Sequence, residues 1–218
     1  GTEVEGANPS SVRHLGERKL RISVQLHSHS QMSDGFFTVS GLLKVMSEVY
    51  DVVAITDHNC VTVPHPLQLQ DLREDFLILK GVEVTFPLLH IICIEPSVFN
   101  MGAVGLIRSA EVSYIAHPSF SFLTPDMCLE ICEREGLNGV EVYNSGHVNF
   151  KDTVGLSENY NLYAGDDLHI PSQLGTSWIE MDVSSVSKEE VLEKLKSGDF
   201  EVFRKEMETL KYPTDNEW

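Results

Sequence analysis

Short runs rich in Val, Ile and Leu recur along the chain at 21–26, 52–55, 77–79, 91–94, 113–116, 139–142, 162–164 and 177–181. Such runs read as strands buried on both faces. Their alternation with helical patterns predicts βαβ units with parallel pairing. Seven or eight of them suggest a barrel rather than an open sheet. A helix is predicted over 41–49, where Leu42, Leu43, Val45, Met46 and Val49 mark an apolar face. Thr124 and Pro125 supply an N-cap and a first helical residue, and Gly136 closes that helix. Ser187 and Glu190 read as a capping box ahead of Val191, Leu192 and Leu195, with Gly198 just past the end.

At 218 residues the chain suits one domain, expected over 20–218 after a polar arm at 1–19. No run of eighteen apolar residues occurs, so no membrane partner is expected. The four cysteines form no C-x-x-C pair, and Cys93, Cys128 and Cys132 read as core residues, which fits a cytoplasmic protein. A net charge of -17 argues against a nucleic-acid groove and leaves nucleic acid as a partner only as an end or a nucleotide. Bound cations would restore local positive charge that the formal count omits. No G-x-G-x-x-G or P-loop follows the first strand, which speaks against a nucleotide cofactor.

The histidines and carboxylates fall where the aliphatic runs end. His27 and His29 follow the first run, His58 the second, Glu83 the third; His117 follows the fifth, and Asp167 and His169 follow the seventh. His90 opens its run instead of closing it. In a barrel of parallel strands the C-terminal ends converge on one mouth, so these residues are expected to meet there. Residues two apart on a strand point the same way, so H-x-H and D-x-H can each offer both side chains to one cation. Ligands of His and carboxylate without Cys suit Zn, Mn or Fe with open positions. More than four ligands imply two to three divalent ions, with Glu83 as the natural bridge.

In order along the chain, His27-Ser28-His29 through Ser33-Asp34-Gly35, Thr56-Asp57-His58-Asn59, Gly81-Val82-Glu83, Ala116-His117-Pro118, Gly139 to Asn144 and Asp167-Leu168-His169 resemble the signature of the PHP domain (polymerase and histidinol phosphatase). The resemblance implies an α/β fold, a distorted, TIM-barrel-like (β/α)7 barrel. It also implies up to three metals: one on His27, His29, Glu83 and Asp167, a second on Glu83, His90 and His117, a third on Asp34, His58 and His169. The expected activity is hydrolysis of a small phosphate ester or nucleotide by a metal-bridging hydroxide, with Asp167 or His169 moving protons. An amide, carbamate or ester hydrolase on the same metals is the alternative, as is a non-catalytic module. Two departures stand out: only 119–138 separate the A-H-P and G-V-E-V segments, and Asp166 replaces the usual Ser. The extra Asp166 carboxylate would bind a cation or repel an anionic substrate.

Asn59, Asn144 and Ser145 are candidate substrate contacts near the mouth. Asp57 and Glu141 are expected to orient histidines. Arg13, Arg108 and Arg134, and His14, His65 and His147, read as surface residues.

Overall fold

Val52–Ile55 carries no exposed residue and pairs in parallel on both sides, the arrangement an unbroken aliphatic run requires. It is the second strand, β2, in a computed structural model that describes residues 19–97, 102–151 and 153–205. Around it lie β1 (Leu20–Gln25), β3 (Leu77–Phe86), β4 (Leu89–Ile94), β5 (Val112–Ile115), β6 (Gly139–Asn144), β7 (His147–Val148), β8 (Asn161–Gly165), β9 (Ser177–Val183) and β10 (Glu201–Arg204). The helices are α1 (Val39–Ser47), α2 (Gly102–Ser109), α3 (Pro125–Glu135), α4 (Val154–Ser157) and α5 (Lys188–Ser197).

The strands form one sheet in the order β10-β9-β1-β2-β3-β4-β5-β6-β7, with β8 paired to β6. Beyond the ends of β1 and β8, Ser28 and Leu168 bridge in parallel. There the His29 N–H donates to the Leu168 carbonyl at 3.0 Å, and the Leu168 N–H to the His27 carbonyl at 3.3 Å. The sheet thus curls into a nearly closed α/β barrel, distorted and TIM-barrel-like.

Parallel pairing throughout is not what the chain adopts. β4 runs antiparallel to both β3 and β5, and β9 runs antiparallel to β1 and β10. The third strand continues through Glu83 to Phe86 instead of ending at 79, so only Pro87 and Leu88 connect it to β4. Two residues make a hairpin; a parallel crossover needs a dozen or more.

Local signals set several helix ends. The Thr124 hydroxyl accepts from the Met127 N–H at 3.3 Å, and Gly136 closes α3 at φ 70. The Ser187 hydroxyl accepts from the Glu190 N–H at 3.3 Å, but the Glu190 carboxylate turns to Ser184 and Ser185, so only half of the expected capping box forms. The strand interior packs Ile22, Val24, Leu26, Ile92 and Ile179 around Tyr114 and Tyr163, whose rings stack at 4.2 Å. Outside the sheet, Leu42, Leu43 and Met46 of α1 cover Val53 and Ile55, while Cys128 and Cys132 of α3 pack with Ile115 and Val140. Cys93, Cys128 and Cys132 are buried free thiols, and Cys60 is exposed. Among the described residues no helix is long and apolar enough to cross a membrane. Arg13 and His14 lie outside the described residues. Arg108, Arg134, His65 and His147 are exposed.

Candidate metal centre

Just past β1, the chain keeps its alternation. Ser28 turns outward to donate to the Ala54 carbonyl at 2.8 Å, so His27 and His29 both face inward, fully buried, with ring centroids 5.3 Å apart. His58 bridges in parallel to Glu83, which places the second and third strands' functional groups side by side. The antiparallel hairpin accounts for His90: it stands opposite Thr85, so the start of β4 lies at the same end of the barrel as the last residues of β3. His117 follows β5 at φ 25 and Asp167 follows β8 at φ 49, uncommon backbone conformations for residues with a Cβ. Residues held this way cluster at functional sites.

The structure brings all nine sequence-selected histidines and carboxylates to one mouth. Ligand atoms of His27, His29, Glu83 and Asp167 lie mutually within 4.8 Å, as do those of His29, Asp34, His58 and His169, and those of His58, Glu83 and His90. The Glu83 carboxylate, fully buried, is the hub. Its Oε2 is 3.3 Å from His27 Nε2, 3.1 Å from His29 Nε2 and 3.3 Å from His58 Nδ1. Its Oε1 is 2.7 Å from His90 Nδ1 and 2.9 Å from His117 Nε2. Asp167 Oδ1 is 3.2 Å from His27 Nε2 and 3.3 Å from His29 Nε2. At the outer edge, Asp34 lies 3.4 Å from His58 Nε2 and 3.2 Å from His169 Nε2. His58 thus stands between two of the groups, closer to Glu83 than the partition implied by the family resemblance.

These spacings fit cations. Two atoms bound at about 2.1 Å to a common ion sit about 3.0 Å apart along an octahedral edge and about 3.4 Å apart along a tetrahedral one. His29 Nε2 comes within that range of both Glu83 and Asp167, yet it makes no hydrogen bond, and neither does Asp167 Oδ1. Buried polar atoms are ordinarily bonded, so converging atoms that are close but misaligned for each other are aimed at something between them. The set is nitrogen and oxygen with no sulfur, suited to divalent cations.

The clustered side chains also shift one another's titration. Burial disfavours the charged form of His27, but the carboxylates of Asp167, Glu141 and Glu83 outweigh it and hold its pKa well above the usual histidine range. Burial likewise opposes ionisation of Glu83 and Asp167, and the surrounding histidines, His27 foremost, overcome it and hold both well below the carboxylate range. His169, partly shielded by burial, is raised to about 9, chiefly by its contact with Asp167. At His58 burial prevails and the pKa falls.

A second layer of contacts fixes these side chains. Glu141 Oε1 takes the other ring nitrogen of His27 at 3.0 Å, while its Oε2 accepts from the His117 N–H at 2.8 Å and the Asn144 amide at 2.9 Å. One carboxylate thus sets the tautomer of His27 and the entry of the His117 loop. Gly165 allows this: a Cβ there would stand 2.6 Å from both Glu141 Oε1 and the His27 Cβ. The sequence reading overlooked Gly165; its signal was a glycine ending the strand before D-x-H. Thr85, which meets His58 Nδ1 at 2.8 Å, carried no motif at all.

Several expected roles change. Asp57 orients a loop, not a histidine: it accepts from the Ser30 N–H and hydroxyl and from the Ser33 hydroxyl, each at 2.7 Å, and from Thr62. Asp166 does not join the cluster of histidines and carboxylates. It turns inward, fully buried, and takes the Tyr50 hydroxyl and the N–H groups of Gly175, Thr176 and Ser177 at 2.8, 2.8 and 2.9 Å. Asn144 has no exposed surface, which removes it from substrate contact and leaves it a part in holding Glu141. The Ser145 hydroxyl donates to the Asp166 carbonyl at 2.6 Å and accepts from Gln173 at 3.1 Å. Asn59 is exposed at φ 52, its side-chain oxygen taking the Thr85 N–H at 2.9 Å.

No family model and no curated protein matches the sequence. Among solved structures, a two-domain protein from Bacteroides vulgatus ATCC 8482 containing a predicted PHP-like metal-dependent phosphoesterase is similar with a TM-score of 0.66 and 20% identity, over 93% of this chain and 70% of that one. Endonuclease Q, in complex with a 27-mer duplex substrate bearing an abasic lesion, is similar with a TM-score of 0.56 and 14% identity, over 82% of this chain and 57% of that one. At these identities the likeness is one of fold.

Proposed function

We propose that this chain, whose fold is that of a PHP domain, is a metal-dependent phosphoesterase acting on a small phosphorylated substrate. The observation that carries the reading is the contact of five imidazoles with one fully buried carboxylate, three on Glu83 Oε2 and two on Oε1. A carboxylate shared this way could serve two neighbouring ions, and the Asp34, His58 and His169 group would offer a place for a third. His27, His29, Glu83 and Asp167 would hold the innermost ion, His90 and His117 with Glu83 the next. When bound, two to three divalent ions such as Zn, Mn or Fe polarise phosphoryl oxygens and make water a nucleophile near neutral pH.

The protein's own groups do the rest. His169 Nδ1 lies 2.9 Å from the Asp167 carbonyl, which selects the tautomer that leaves Nε2 basic and facing Asp34 at the mouth. We assign the handling of the leaving oxygen's proton to His169 in the two-ion form, in which the Asp34, His58 and His169 group holds no cation and Nε2 is free to carry it, with Asp167 tuning its basicity. Asn59 remains the candidate for substrate contact. The loops 117–124 and 144–150 contain no Lys or Arg, and the chain carries a net charge of -17, which favours a small ester over a duplex.

The test is metal analysis of the purified protein, then turnover of p-nitrophenyl phosphate, bis-p-nitrophenyl phosphate and p-nitrophenyl acetate. Phosphate release that is abolished by His27→Ala supports the reading. Turnover of the acetate alone turns it into a carboxylic-ester hydrolase, and bound metal without turnover into a non-catalytic module.

A further inference from the structure

We infer that Phe120, with Phe122 on the same tethered loop, forms an aromatic platform beside the His90 and His117 side of the site, and that it selects phosphate esters whose alcohol carries an aromatic or extended apolar group. The inference rests on the phosphoesterase reading and names the substrate class of that same site.

Both rings are displayed to solvent, Phe120 at 63% and Phe122 at 86% exposure. The Phe120 ring meets the His117 ring edge-on, with centroids 5.9 Å apart, so the platform begins where the proposed ligands end. The backbone that presents the rings is held from several directions. Consecutive turns bond Phe120 N–H to the His117 carbonyl at 3.0 Å and Phe122 N–H to the Ser119 carbonyl at 3.2 Å. Leu123 anchors the loop in the core. The Ser119 hydroxyl meets Asn149 Oδ1 at 2.6 Å, and Asn149 in turn donates to the Glu141 carbonyl at 2.8 Å. The loop is therefore tied to the strand that positions His27.

Phe122 stands at φ 57, a left-handed conformation that costs energy for any residue with a Cβ. A bulky ring held in that conformation and pointed at water gains nothing from the fold, which is the pattern of strain kept for a ligand. Leu88 at the β3–β4 turn and Val148 on β7 are also exposed and extend apolar character among the mouth loops. Neither 117–124 nor 144–150 contains Asp, Glu, Lys or Arg. A second anionic group on the substrate would find no counter-charge there, whereas a planar apolar group gains contact and loses no ionic hydration.

Hydrolysis of 2-phenylethyl phosphate and ethyl phosphate by the metal-loaded full chain tests this, because both alcohols are unactivated and differ in the ring. The expected kcat/KM ratio is about tenfold or more in favour of the phenyl ester, falling towards one in the Phe120→Ala/Phe122→Ala variant and partly restored by Leu at both positions. A ratio near one in the unaltered protein, or a preference that survives the double substitution, overturns the platform. Binding of 2-phenylethylphosphonate, followed by saturation-transfer NMR on its ring protons, gives a readout independent of turnover. If neither ester is hydrolysed, turnover of p-nitrophenyl phosphate decides the phosphoesterase reading. The ring signal then decides the platform alone: its loss in the double variant supports it, and an undiminished signal sinks it.

Discussion

Replacing Glu141 by Gln changes one buried oxygen into an amide and leaves shape and volume nearly intact. In the native protein Oε1 faces His27 Nδ1 at 3.0 Å, and Oε2 accepts two N–H donors, from His117 and Asn144, at 2.8 and 2.9 Å. The new NH2 group must face one side or the other. Turned towards His117 and Asn144, it leaves two buried donors opposed by a third. Each such group costs about 1–3 kcal/mol, so this orientation is disfavoured by about 2–6 kcal/mol. Turned towards His27, it leaves a single mismatch, which His27 relieves by giving up its Nδ1 proton and keeping the one on Nε2. The second orientation wins. Its consequence is functional, because Nε2 is the nitrogen that faces Glu83 and Asp167 and would then carry a hydrogen instead of a lone pair. Loss of such an orienting partner typically weakens metal affinity or activity about 10–100-fold, equivalent to about 1.4–2.8 kcal/mol. The measurement is competition titration of the first cation against a chelator, together with the Tm of the chelated protein. A first-ion affinity within twofold of the unaltered protein would refute the argument that Glu141 sets the His27 tautomer. A large fall in the Tm of the metal-free variant would show that the two-donor orientation was chosen instead.

Cation binding should release protons. His27 is held well above the usual histidine pKa and His169 at about 9, so both are protonated in the metal-free protein at neutral pH and must lose those protons to bind. Apparent affinity is expected to rise with pH up to about 9, and titration calorimetry in buffers of different ionisation enthalpy should show net proton release; an affinity independent of pH contradicts this. The same raised pKa values give the metal-free protein stability that is fully present below about pH 6.5 and is lost as pH climbs through about 9, which thermal melts of the chelated protein would register. Gly165→Ala places a Cβ 2.6 Å from His27 Cβ and Glu141 Oε1, so metal content should fall sharply while far-ultraviolet circular dichroism stays native; full metal occupancy would argue against the close packing. Leu43→Ala removes a fully buried side chain of α1 that is not among the ligands and should cost about 2–5 kcal/mol in denaturant unfolding without altering metal stoichiometry.

Much of this was written locally. Val52–Ile55 is a strand with the bounds its aliphatic run sets, and α3 lies between the Thr124 cap and Gly136 because both are nearest-neighbour effects on backbone hydrogen bonding. The convergence of His27, His58, Glu83, His117 and Asp167 was legible because strand ends in a barrel share a mouth. Where the reading failed, the deciding contact was distant in sequence. Nothing in Asp166 announces whether it faces the mouth or the Gly175 to Ser177 backbone, and nothing in Asn144 announces that it is buried against Glu141. β10 was missed because its four residues are half exposed and gain their order from pairing with β9.

The residue types, their alternation on strands and the caps on helices are properties of neighbouring positions, so the sequence alone determined which groups were available for chemistry and roughly at which strand ends. Strand direction is different: a run of apolar side chains buries equally well facing up or down. Only the assembled sheet decided that β4 turns back on β3, and that reversal carries His90 from the start of its strand to the edge of Glu83.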